Sequence, residues 1–85
     1  MLYEIEVDVP VGLYSYKRGW VKDGKSTVAG ETLIGIAYNH SAWNIKKWVR
    51  KGSAENWLKS HRGLMKRTWE ARVVERRDRC GNPLA

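Results

Sequence analysis

Tyr3-Glu4-Ile5-Glu6-Val7-Asp8-Val9 sets apolar and acidic residues in strict alternation. Side chains along a strand point to opposite faces in turn. The stretch therefore reads as a strand with Tyr3, Ile5, Val7 and Val9 toward a core and Glu4, Glu6 and Asp8 toward water. Pro10 ends it, because proline has no N–H to give a sheet ladder. A strand with one apolar face needs partner strands beside it and a layer to cover that face.

Reading outward from this strand supplies both. Gly12 to Tyr16 is apolar and aromatic and predicts a second strand running on toward Val21, and Asp23-Gly24 is a turn signal. Thr32 to Tyr38 predicts a third strand, in which Gly35 marks a bulge or the close approach of another backbone. Ser41 is a candidate N-cap for a helix over Ala42 to Lys51, with Gly52 placed to end it. Ser53 then caps a second helix from Ala54 to His61. Glu55 lies near its positive end and Gly63 closes it. Met65 to Arg76 alternates again, with Trp69, Ala71 and Val73 inward and Thr68, Glu70 and Arg72 outward. The expectation is a single α+β domain over residues 1–76. It is a small antiparallel sheet in the order β-β-β-α-α-β with two short helices on one face. An irregular basic tail follows over residues 77–85.

Charge is divided unevenly along the chain. Residues 1–42 carry four basic and five acidic residues, whereas residues 43–85 carry twelve basic and four acidic, for a net charge of +7 over 85 residues. A field of one sign concentrated in half of a small domain attracts polyanions. The single Cys80 has no cysteine to pair with, so a reducing, cytoplasmic setting is the default. No apolar run reaches membrane-spanning length, and the N-terminus lacks the basic-then-apolar order of a secretory signal. His40 and His61, without clustered cysteines or carboxylates, predict no metal site, and no cofactor fingerprint is present.

On a wheel of about 100° per residue, Ala42, Ile45, Trp48 and Val49 share one side of the predicted first helix. Trp43, Lys46, Lys47 and Arg50 share the other. An exposed tryptophan among cations suits nucleic acid, since the ring stacks on a base while the cations meet phosphates. On the second helix Ala54, Trp57, Leu58 and His61 face inward, with His61 at the core edge, while His40 is placed to help cap the first. Lys59-Ser60-His61-Arg62-Gly63-Leu64-Met65-Lys66-Arg67 is a second basic feature, suited to clamping a phosphate backbone. The candidate binding residues are Trp43, Lys46, Lys47, Arg50, Lys51, Arg62, Lys66 and Arg67. No catalytic triad, P-loop or paired carboxylate is present. These residues predict a non-catalytic basic domain that binds DNA or RNA. An acidic surface of a host protein would select the same residues. No membrane or small-molecule substrate is implied.

Two resemblances bear on this expectation. Gly12-Leu13-Tyr14, Leu33-Ile34-Gly35 and Asn44-Ile45-Lys46-Lys47-Trp48 together resemble a distorted GIY-YIG nuclease across residues 12–76. The resemblance implies Tyr14, Arg50 and Glu75 as its functional residues. Leu33 stands where that family has a tyrosine, and Trp48 stands at its arginine position. Tyr16-Lys17-Arg18-Gly19-Trp20-Val21-Lys22 and His61-Arg62-Gly63-Leu64-Met65-Lys66-Arg67-Thr68-Trp69 are similar in style to small early proteins of short-tailed lytic coliphages. That resemblance implies an infected bacterial cytoplasm, and an effector or inhibitor acting on a host nucleic-acid-processing or defence protein.

Overall fold

In a computed structural model, residues 2–28 and 30–76 are described. The expected tail at 77–85 lies outside them. Strand β1 (Tyr3–Pro10) runs through the middle of a four-stranded antiparallel sheet. Its neighbours are β2 (Tyr16–Val28) on one side and β4 (Glu70–Glu75) on the other, and β3 (Glu31–Ala37) lies beyond β2. Helix α1 (Lys51–His61) and a 3-10 turn at Arg62–Leu64 precede β4. The α+β class and the antiparallel sheet agree with the sequence reading.

The alternation in β1 determines the two faces. Ile5 and Val7 are fully buried and pack with Val21, Leu33, Ile34, Met65 and Trp69. Trp57 and Leu58 of α1 close over this core, as do Trp48 and Val73. Burial of side chains of this size is worth about 1.5–3 kcal/mol each. The acidic face is not solvated as expected. Register places Arg72 opposite Glu6 and Arg18 opposite Asp8, so arginines from both flanking strands lie over the carboxylates. Glu4 is only 1% exposed.

Two expectations about β2 are corrected. The second strand begins at Tyr16 and not at Gly12: residues 11–15 form a loop closed by Val11 N–H donating to the Ser15 carbonyl at 3.1 Å. Asp23-Gly24 is not a reversal. β2 continues through it, and the register shifts between Val21 and Lys25, with Gly24 at φ +96°. The two extra residues form a bulge. The chain turns back later, between the paired residues Val28 and Glu31, where Gly30 has φ +80°. Gly35 sits opposite the bulge; a Cβ there would stand 2.9 Å from Lys22 Cε. The close approach expected of Gly35 is thus present.

The first predicted helix does not form. Asn39 organises a turn instead: its Oδ1 accepts from Ser41 N–H at 3.0 Å and from Ser41 Oγ–H at 2.7 Å. Ser41 is held there and caps no helix. Residues 44–48 then run as an extended strap. Asp23 N–H donates to Asn44 O at 2.9 Å, and Lys46 N–H to Val21 O at 2.9 Å. Trp48 exchanges two backbone hydrogen bonds with Tyr3, at 2.8 and 2.9 Å. The paired register of β1 and β2 stops at Glu6 and Trp20, and the strap bonds to both strands beyond that point. Backbone groups left without a sheet partner demand one, and this demand outweighs a weak helical pattern rich in Trp, Asn, Ile and Val. α1 consequently begins at Lys51 rather than Ala54. Gly52 lies inside its first turn, and neither Ser53 nor any other side chain caps it. β4 is shorter than the expected Met65–Arg76, because Trp69 N–H donates to Lys66 O at 3.1 Å in a turn before it.

Candidate functional site

Without the first helix, its basic face is not a face. The eight candidate residues separate according to what their side chains touch. Trp43 is 89% exposed, so its expected exposure holds on a different backbone. Val49, expected in the core, is exposed, whereas Ile45 is buried as expected. Lys46 turns inward: its Nζ lies 3.7 Å from Asp23 Oδ1 and 5.6 and 5.8 Å from the rings of Trp48 and Trp57. Lys47 is exposed and donates to the Ile45 carbonyl at 3.3 Å. Arg50 is exposed at the start of α1, and Lys51 pairs loosely with Glu55 at 4.0 Å.

Arg62 has a structural task. Its guanidinium donates to the Trp69 carbonyl and, at 3.2 Å, to Met65 Sδ, tying the end of α1 to the start of β4. Lys66 and Arg67 are exposed on the turn between them and pair with no carboxylate among the described residues. Lys59, in the basic run but not among the candidates, belongs with them. It is exposed on the outer side of α1, opposite buried Ala54 and half-buried Trp57. Its helical spacing from Trp57 and Leu58 already showed this. Lys51 and Lys59 are about 12 Å apart along the axis at 1.5 Å per residue.

On the other face of the sheet the carboxylates of β1 are matched by arginines. Arg18 Nε lies 3.1 Å from Asp8 Oδ1 and 3.4 Å from Glu6 Oε1. Arg72 binds Glu6 and reaches Asp8 Oδ2 at 3.1 Å. The Arg72 guanidinium, through its hydrogen bond, and Arg18 beside it hold the Asp8 carboxyl below the usual carboxylate range. Asp8 in turn raises both arginines. Glu4 accepts from Arg76 Nη1 at 3.1 Å and from His40 Nε2 at 2.6 Å, and His40 stacks on Trp20 with centroids 4.4 Å apart. His40 is therefore a partner of a buried carboxylate, not a helix cap. His61 sits at the core edge as expected, stacked on Trp57 at 4.2 Å with its Nδ1 bonded to the Trp57 carbonyl.

The residues implied by the nuclease resemblance are not gathered. Tyr14 is on the loop following Pro10, whereas Glu75 pairs with Tyr3 at the opposite end of β1. Those ends are about 23 Å apart at 3.3 Å per residue. Arg50 lies two residues beyond Trp48, which bridges to that same Tyr3, and it occupies the extended position just before α1 rather than standing within a helix. Among the described residues, no group of three or more His, Cys, Asp or Glu is placed to hold a metal, and no helix is long and apolar enough to cross a membrane. Comparison with protein-family models, with curated proteins and with solved structures found no match.

Proposed function

We propose that this domain is a binding module for nucleic acid, acting through phosphate contacts from Arg50, Lys51, Lys59, Lys66 and Arg67, with Trp43 as an exposed aromatic contact. The observation that carries this reading is the sorting of charge. The carboxylates of β1 are matched by Arg18, Arg72 and Arg76, while Arg50, Lys59, Lys66 and Arg67 meet no carboxylate among the described residues. Of the cations that meet no carboxylate among the described residues, Lys17, Lys22 and Lys25 lie on β2 and Lys47 on the strap, whereas Arg50, Lys59, Lys66 and Arg67 lie along α1 and at its two ends, a form suited to a phosphate backbone.

The test is fluorescence anisotropy with labelled single-stranded and duplex DNA and RNA across a salt series. Each neutralised phosphate adds about 0.7–0.9 to the slope of log K against log salt. Engagement of four or five cations predicts a slope of about −3 to −4.5. No binding at low salt, or binding insensitive to salt, overturns the reading. An acidic surface of a host protein is the second reading, favoured by exposed Val49 next to Arg50, an apolar group that phosphates do not require. Partners from bacterial lysate that survive nuclease treatment support it, and partners that vanish support nucleic acid.

A further inference from the structure

The most exposed apolar side chains are not on the basic side. Leu13 is 93% and Tyr14 99% exposed on the loop over residues 11–15, flanked by exposed Val11 on the same loop and by Tyr16 at the start of β2. The closure from Val11 to Ser15 holds this loop out at the end of the β1–β2 connection. Isolated apolar residues on a surface need no explanation, but four within six residues, on a closed loop and the first position of the strand after it, form a patch. The backbone closure limits the loop ordering that docking on Leu13 and Tyr14 would cost.

The loop also forms one wall of an open cavity of about 530 Å³, within the range of sites that hold a side chain or small ligand. Tyr14 lines it from the loop, Asp8, Tyr16 and Glu70 from the sheet, and Thr68 from the turn before β4. Asp8 and Glu70 are directly opposite each other in the β1–β4 register. Like charges in that relation repel. Asp8 is compensated by Arg18 and Arg72, but no cation among the described residues pairs with Glu70. The Tyr16 ring already carries the Arg18 guanidinium, 5.8 Å from its centroid, so the face of Tyr14 and the uncompensated Glu70 carboxylate are left to attract a cation from outside.

We infer that this cavity and loop form a docking site for a protein segment presenting an arginine or lysine side chain next to an apolar one. The cation enters between Tyr14 and Glu70, and the apolar neighbour packs on Leu13. None of the cations proposed to meet phosphates lines this cavity, although Arg67 adjoins Thr68 on its rim.

Backbone amide shifts of the isotope-labelled protein, followed by NMR, test the site with three probes. The first two are N-acetyl-arginine amide and its uncharged isostere N-acetyl-citrulline amide. The third is the peptide acetyl-Leu-Arg-Leu-amide. Saturable shifts at Tyr16, Thr68 and Glu70 are expected with the arginine probe and none with citrulline. The peptide should bind about tenfold more tightly than the single residue, and Leu13→Ser should remove that gain. Glu70→Gln should weaken the arginine probe about tenfold, while Arg50→Ala leaves it unchanged. All three changed residues are exposed, and the same spectra report whether each variant is folded. Equal response to arginine and citrulline, or shifts elsewhere only, overturns the site. A peptide no tighter than the single residue shows a small-cation pocket instead of a docking surface, and also overturns the proposal.

Discussion

His40 Nε2 stands 2.6 Å from the Oε1 of Glu4, a carboxylate 36 residues earlier in the chain and almost wholly removed from water. The other Glu4 oxygen accepts from Arg76 at 3.1 Å, and the His40 ring rests on Trp20. A carboxylate buried this deeply is tolerated only while its partners remain. Arg76→Ala removes the guanidinium and is expected to destabilise the fold by about 3–5 kcal/mol, the usual cost of breaking a buried ion pair from one side. His40→Ala leaves Arg76 in place and should cost about 1.5–3 kcal/mol, the value of a hydrogen bond to a charged group. Urea unfolding checks the order. Equal costs would show that Arg76 is not the principal counterion.

Asp8 gives the fold an acid limit. Its carboxyl titrates lower in the folded state than in the unfolded chain, first because of the Arg72 hydrogen bond and then because of Arg18. The unfolded chain therefore binds the proton more readily. The stabilisation is fully present above the unfolded value of about 4 and is lost as pH falls through the lowered folded value. Urea midpoints of wild type and Asp8→Asn should differ at pH 7 and converge below about pH 4. A difference that stays constant through that range would rule out linkage through this carboxylate.

The parts legible in the sequence were those in which local pattern and tertiary demand agree. The alternation of Tyr3 to Val9 gave the central strand and its buried face, and Trp57, Leu58 and His61 gave the inner side of α1. The pattern at Ala42 to Lys51 was ambiguous for a physical reason. Ile45 and Trp48, three apart, reach the core from one side of a helix, but they also reach it from the extended strap that bridges Lys22 and Tyr3. Periodicity cannot distinguish these, because hydrogen-bond demand beyond Glu6 and Trp20 decides between them. Likewise, acidic residues at alternate strand positions read as solvated until the register brings Arg18 and Arg72 over them from β2 and β4. Of the candidate site, the exposure of Trp43, Lys66 and Arg67 was legible. The structural use of Lys46 and Arg62 was not, since it depends on partners fixed by the fold.

Two glycines check the corrected boundaries. Gly52 lies in the first turn of α1, with nothing within 4 Å of a Cβ built on it. Gly52→Ala is expected to stabilise the protein by about 0.4–1 kcal/mol, by restricting the unfolded chain at a position already helical. Gly19 is the opposite case. A Cβ there would collide with Ile36 and stand 3.0 Å from the Ala37 carbonyl oxygen. Gly19→Ala should cost about 1–3 kcal/mol through overpacking between β2 and β3. Thermal unfolding of both variants provides the measurement. A destabilising Gly52→Ala would mean that α1 starts later.

The tryptophans differ in role. Trp69 is buried beside Met65 and the β1 core, and Trp69→Ala should cost about 3–5 kcal/mol. Trp43 is exposed, and Trp43→Ala should change stability by no more than about 0.5 kcal/mol. Iodide quenching of fluorescence should detect an accessible fraction in wild type that falls in Trp43→Phe. An unchanged accessible fraction would place Trp43 against the protein.

Arg62 and Arg67 separate the structural cations from the free ones. They lie five residues apart in one basic run, and sequence offers no reason to treat them differently. Arg62 donates to the Trp69 carbonyl and to Met65 Sδ, so Arg62→Ala leaves a backbone acceptor unmet and should cost about 1–3 kcal/mol of stability. Its effect on nucleic-acid affinity should follow from that loss, and the salt slope of the protein that remains folded should not change. Arg67 is exposed and meets no carboxylate among the described residues, so Arg67→Ala should leave unfolding within about 0.5 kcal/mol of wild type. If Arg67 meets a phosphate, the same substitution should lower the magnitude of the salt slope by about 0.7–0.9. Urea unfolding and salt-dependent anisotropy on both variants give four numbers. The expected pattern is stability lost without slope for Arg62 and slope lost without stability for Arg67. The reverse pattern would move the binding surface to the core side of the Arg62–Leu64 turn and refute the proposed role of Arg67.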